Sequence, residues 1–113
     1  MSQPPIERKE LLKAVFENGV FTSADVREIR LQPGQRGGRH LHPGAVLGYI
    51  AEGTAVYQIE GEPAQILPVG SAFHEPAGAI IAEFGNASES EPMTFIAFYL
   101  LNGDQELIHM LPK

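Results

Sequence analysis

Apolar and polar residues alternate with a period of two along most of this chain, and short turn signals interrupt them at near-regular intervals. A period of two sends successive side chains to opposite faces of a strand. The runs that show it, or that are rich in β-branched and aromatic residues, are 26–31, 46–51, 54–59, 64–67, 71–75, 79–84, 94–101 and 107–111. They are separated by Pro33-Gly34, Glu52-Gly53, Gly61 to Pro63, Pro68 to Gly70, Pro76-Ala77-Gly78 and Asn102-Gly103, residues that supply the backbone angles of tight turns. The run 94–101 is bulky on both faces, which predicts a central strand. The runs 46–51 and 54–59, split by Glu52-Gly53, predict a hairpin. A two-residue turn at Ala77-Gly78 would likewise pair 71–75 with 79–84. Glu7 to Glu17 carries good helix formers, but its apolar Leu11, Leu12, Val15 and Phe16 give at most three turns. The segment fits either a short helix or an edge strand, and residues 1–5 read as a loose leader.

Composition supports an all-β reading. Twelve glycines and nine prolines are spread along the 113 residues, the pattern of many short strands joined by turns. The length suits one domain with a single core. No cysteine is present, which excludes disulfide frameworks, zinc ribbons and thiol nucleophiles. The net charge of −6 has the wrong sign for a binder of phosphate backbones. No apolar run is long enough for a membrane span or a signal peptide, so a cytoplasmic location is expected.

The residues that carry chemistry gather around His40 and His42. They are separated by one residue, lie between glycine-rich turns, and on a strand would share one face. Two adjacent imidazoles make half of a metal site. Gly34 to Gly38 superficially suggests a phosphate loop, but no helix follows it and the lysine of such loops is missing. The serines have no nucleophile-elbow context. Arg36 and Arg39 stand close enough to meet an anionic ligand, although exposed arginines seldom do so. His109 has no partner by spacing.

From Gly34 to Asn86 the chain resembles the cupins, small jelly-roll barrels, here of the single-domain, RmlC-like type. Gly34, five residues, His40-Leu41-His42, three residues, Val46, six residues and Gly53 follow the first cupin motif over 34–53. Gly70, five residues, Pro76-Ala77-Gly78, two residues, Ile81 and then Gly85-Asn86 follow the second over 70–86. The resemblance implies an all-β double-stranded β-helix of about eight to ten short strands filling 1–113 as one domain. Residues 1–20 would then be an N-terminal extension or edge strand. It also implies a metal held by the two histidines, a glutamate of the first motif and a histidine of the second. This chain has Val46 and Ile81 in the latter two places. Paired across a two-residue turn, His74 would face Ile81 and replace the missing ligand, with Glu83 on the same face. A turn one residue longer or shorter would aim His74 outward.

The expected site is therefore His40, His42 and His74 around one divalent ion (Fe, Ni, Zn or Mn), with Val46, Tyr49, Ile81 and Glu83 lining a ligand pocket. The alternative is a metal-free pocket. Two functions follow. One is a small-molecule-binding cupin with a reduced or absent metal site. The other is a metal-dependent cupin enzyme, of dioxygenase or isomerase type, acting on a small organic acid or sugar derivative. The partners expected are a small-molecule ligand and a second copy of the chain as a homodimer, with neither nucleic acid nor membrane.

Overall fold

The computed structural model describes residues 3–112, so Met1, Ser2 and Lys113, with the first part of the expected leader, lie outside it. Among the described residues there are nine strands and no helix. They are β1 (Ser23–Leu31), β2 (His40–Leu41), β3 (Val46–Glu52), β4 (Ala55–Ile59), β5 (Gln65–Leu67), β6 (Ala72–Glu75), β7 (Ile81–Asn86), β8 (Met93–Leu101) and β9 (His109–Met110). Two sheets face each other, one ordered β1-β8-β3-β6 and the other β5-β4-β7-β2-β9. This is the double-stranded β-helix.

The strand positions follow the alternation closely, and β8 lies between β1 and β3 as its bulk predicts. The expected pairings do not hold. β3 and β4 form no hairpin, because β4 leaves for the opposite sheet and pairs with β5 and β7. Gly53 turns the chain between them with φ 78°, and a side chain there would run into the Pro92 carbonyl and Met93. β6 and β7 are not a hairpin either: β6 pairs with β3 and β7 with β4 and β2. In a two-sheet barrel a short turn can pass the chain from one sheet to the other, and local turn chemistry alone does not separate that from a hairpin. Residues 3–22 form neither helix nor strand. Leu11, Leu12 and Val15 remain exposed, so neither expected element has the buried face that would stabilise it.

The core fills the space between the sheets. Ile50, Ala55, Tyr57, Leu67, Phe73, Ile81, Phe84 and Met93 form its main cluster, and Val46, Ala97 and Tyr99 a smaller one. Phe73, Phe84 and Phe95 form a three-ring cluster, with centroids 4.8 Å apart for Phe73–Phe84 and Phe84–Phe95 and 5.9 Å for Phe73–Phe95. Phe73 reaches its place by lying across Gly48, its partner on β3. A Cβ at Gly48 would collide with the Phe73 ring.

Candidate metal centre

The inner faces of three strands converge at one end of this core. His40 sits on β2 opposite Ile81, and His42 follows one residue beyond β2. Glu75 ends β6 and lies directly opposite Val46 on β3, which in turn faces Tyr99 on β8. Opposed residues of an antiparallel pair share a face. Since Val46 is packed inside the barrel, Glu75 and Tyr99 point there too.

All three polar groups are deeply buried, with His40 5%, His42 4% and Glu75 4% exposed. Each imidazole is oriented from behind. His40 Nδ1 donates to the Gly38 carbonyl and His42 Nδ1 to the Leu107 carbonyl, both at 2.8 Å. A carbonyl can only accept, so these bonds place the ring proton on Nδ1 and leave the Nε2 lone pairs free. Both lone pairs face the Glu75 carboxylate, His42 Nε2 at 2.6 Å and His40 Nε2 at 4.0 Å. One donor atom from each residue lies within 4.8 Å of the other two. Two nitrogen acceptors and a carboxylate, buried together, need a cation between them: a metal ion or an added proton. The group therefore fits a divalent metal, held by two imidazoles and one carboxylate with backbone carbonyls fixing the rings.

The electrostatics reflect the same convergence. Burial opposes the charge on Glu75, but the positive charge that His40 and His42 carry when protonated, with His42 in direct contact, outweighs it and holds its carboxyl below the ordinary range. Burial likewise opposes charge on His40, and there the Glu75 carboxylate and the Gly38 carbonyl prevail and raise the imidazole pKa. Burial first, then the Glu75 charge, pushes the Tyr99 phenol up, so it stays protonated. Beside these groups lies a cavity of about 370 Å³, walled by Ile29, Leu31, Val46, Phe73, Phe84 and Phe95, with Tyr99 among its lining.

The structure brings together His40 and His42, with Val46 at the cavity wall and Ile81 buried beside His40. It does not bring His74 to them. His74 pairs with Leu47 on the outer face of β6, its ring meets Phe16 edge-on, and its buried Nε2 has no hydrogen-bond partner among the described residues. The physical reason is the sheet assignment: because β6 pairs with β3, Ile81 is not its neighbour and the turn-based parity does not apply. Tyr49 also faces outward, 38% exposed, as its odd offset from Val46 requires. Glu83 is turned out by a register shift in β7 between Ile81 and Glu83. That shift lets Ile81 and Phe84 both enter the core, and Glu83 instead pairs with Arg36 on the outer surface. Glu75 is the residue the sequence reading missed. Its signal was present in β6 itself, where an inward Phe73 requires an inward Glu75 and an outward His74.

The cupin domain model matches residues 27–99. The chain is a cupin. No curated protein matches its sequence. Among solved structures it is similar to a cupin-like protein of Thermotoga maritima, at 29% identity and TM-score 0.67, covering 86% of this chain and 72% of that one. It is similar also to a double-stranded β-helix protein of Klebsiella pneumoniae, at 22% identity and TM-score 0.68, covering 83% and 80%. A DMSP lyase of Ruegeria pomeroyi shares the fold at 18% identity and TM-score 0.67, covering 78% of this chain. The chain spans only 43% of that lyase and 45% of a second DMSP lyase structure. This cupin departs from the family motif at Val46 and Ile81, and carries its inward carboxylate on β6, directly across from Val46.

Proposed function

We propose that this cupin binds one divalent metal ion on His40, His42 and Glu75 and takes a small molecule into the adjoining cavity, as a metal-dependent enzyme with a reduced ligand set. The observation that carries the reading is the convergence of two Nε2 lone pairs and one carboxylate in a buried pocket, with both Nδ1 protons committed to backbone carbonyls. Two imidazoles and a carboxylate suit Fe, Mn, Ni or Zn. Such an ion, bound by three protein donors, supplies a Lewis acid with coordination positions open to a ligand or to oxygen. The chain's own part is to hold the two rings in the metal-binding tautomer, to exclude water with Phe73, Phe84 and Phe95, and to offer the protonated Tyr99 hydroxyl to an oxygen of the ligand. Metal analysis of the purified protein tests the reading. One ion per chain, lost in His42→Ala and kept in His74→Ala, supports it. A protein that takes up no Fe, Mn, Ni or Zn at micromolar concentration contradicts it.

A second reading rests on the 2.6 Å contact between His42 Nε2 and Glu75. Without metal, an added proton between them makes a charge-assisted pair, and the barrel is then a small-molecule binder with acid–base groups at its base. The same metal analysis separates the two.

For the assembly we propose a homodimer across the outer face of the β1-β8-β3-β6 sheet. Val26, Phe98, Leu47 and His74 form one row across it, and Val26, Tyr49 and Phe98 are exposed there. An apolar face spanning β1, β8 and β3, bounded on β6 by His74 beneath Phe16, is of the kind a second copy covers. A sedimentation mass of two chains that falls to one in Phe98→Glu supports the dimer, and a monomeric wild-type protein at high micromolar concentration contradicts it. No helix among the described residues is long and apolar enough to cross a membrane, and a cytoplasmic location remains part of the proposal.

A further inference from the structure

We infer that the ligand of the cavity is a monoanion whose charged head lies at the metal centre and whose remainder is uncharged and apolar; the inference rests on the metal reading above. Charge balance gives the first half of the argument. His40 and His42 are neutral as ligands, Glu75 carries one negative charge, and a divalent ion therefore leaves one positive charge in a pocket whose donors are about 95% buried. An uncompensated charge in such surroundings is costly. A monoanionic head neutralises it, whereas a dianion leaves a net negative charge in the same place.

The walls give the second half. Away from the donors the cavity meets Ile29, Leu31, Phe73, Phe84 and Phe95, with the neutral Gln35 at its edge, and none of these side chains offers a cation. The two arginines along its edge are committed elsewhere. Arg30 is opposite Thr94 on the outer face and binds Glu52 and Thr94. The Arg36 side chain crosses over Gly85, where a Cβ would touch it, to reach Glu83. Arg27 is engaged by Asp25 through two nitrogens and lies outside the cavity lining. A second anionic group on the ligand would thus lie against aromatic rings, with only the neutral Gln35 and two arginines already paired to Glu52 and Glu83 near it. At roughly 30 Å³ per water-sized group, a volume of about 370 Å³ admits a ligand of about a dozen such groups. The chemical class is a compact aliphatic or aromatic monocarboxylate, or an enolate of similar size.

Calorimetric titration of the metal-loaded protein with acetate, hexanoate, benzoate, succinate and adipate tests the inference by binding alone. Hexanoate and benzoate are expected to bind at least tenfold tighter than acetate, and at least tenfold tighter than adipate, which matches hexanoate in length but carries a second charge. Ile108→Arg, at the half-exposed mouth of the cavity, is expected to fold normally and to narrow or reverse the preference for hexanoate over adipate. Full metal uptake with adipate or succinate preferred by the wild-type protein overturns this inference and leaves the metal reading intact. Failure to take up metal overturns the metal reading and this inference with it.

Discussion

His74 and Glu75 are neighbours on one short strand, and the barrel treats them in opposite ways. Glu75 points inward, where two imidazoles stabilise its charge. His74 points outward, where burial lowers its imidazole pKa and Nε2 has no partner among the described residues. The residue type best known as a metal ligand is thus on the wrong face, and the carboxylate beside it is on the right one. On a strand a one-residue offset moves a side chain across the full thickness of the sheet, so what a residue can do is set first by which face it occupies. The same holds for aromatic residues: Phe73 fills the core, and Phe16 lies at the surface against His74.

Substitutions on the two faces should therefore have unequal effects. The largest is expected for Phe73→Ala, which opens a cavity beneath Gly48 and should cost about 3–5 kcal/mol in denaturant unfolding, against less than about 1 kcal/mol for Phe16→Ala. Equal losses would break the inside–outside distinction. Next, Glu75→Gln should weaken metal affinity at least ~100-fold, as expected for removing one of three charged or oriented donors, while His74→Ala should leave it within about threefold. Competition with a fluorescent chelator measures both.

A smaller effect is expected from pH. The folded pKa of His40 is raised, so its contribution to stability is fully present below the ordinary imidazole value of 6.5 and is lost as pH rises through the folded value. The folded pKa of Glu75 is lowered, so its contribution is present above the ordinary value of 4.5 and is lost as pH falls through the folded value. Metal-free protein should then be most stable between these two values and lose stability as pH rises from the ordinary imidazole value through the folded His40 value. Metal affinity should change in the opposite direction over that interval, because ligation requires deprotonated imidazole nitrogens. Metal-free unfolding curves that strengthen with rising pH would contradict the assignment of the buried pair. The smallest effect is expected outside: His74→Leu removes a buried polar atom without a partner and should raise the unfolding free energy by up to ~1 kcal/mol.

The strands were readable because alternation is local. Eight runs of the sequence correspond to the eight strands β1 and β3 to β9, and His40 with His42 marked the end of the barrel where the site lies. The pairing was not readable from turns: Gly53 and Pro76-Ala77-Gly78 are turn residues whether the chain returns within its sheet or crosses to the other, and only long-range contacts decide. That one ambiguity displaced His74 into the expected ligand set and hid Glu75. Glu83 was misplaced for a related reason, since the shift in β7 that turns it outward leaves no mark in a strict period of two. Val46 and Ile81 stand as buried apolar residues opposite Glu75 and His40. What could not be inferred from them was that a carboxylate stands opposite Val46 on the next strand.

In the proposed metal centre Glu75 supplies the carboxylate that the family motif would place at Val46. Metal content of Glu75→Gln and of the double variant Glu75→Gln/Val46→Glu, measured after equilibration with Fe, Mn, Ni and Zn, tests it most directly. The single variant should lose its ion and the double variant regain it, because residues 46 and 75 are direct cross-strand partners on one inward face. A single variant that retains a full equivalent of metal would contradict it.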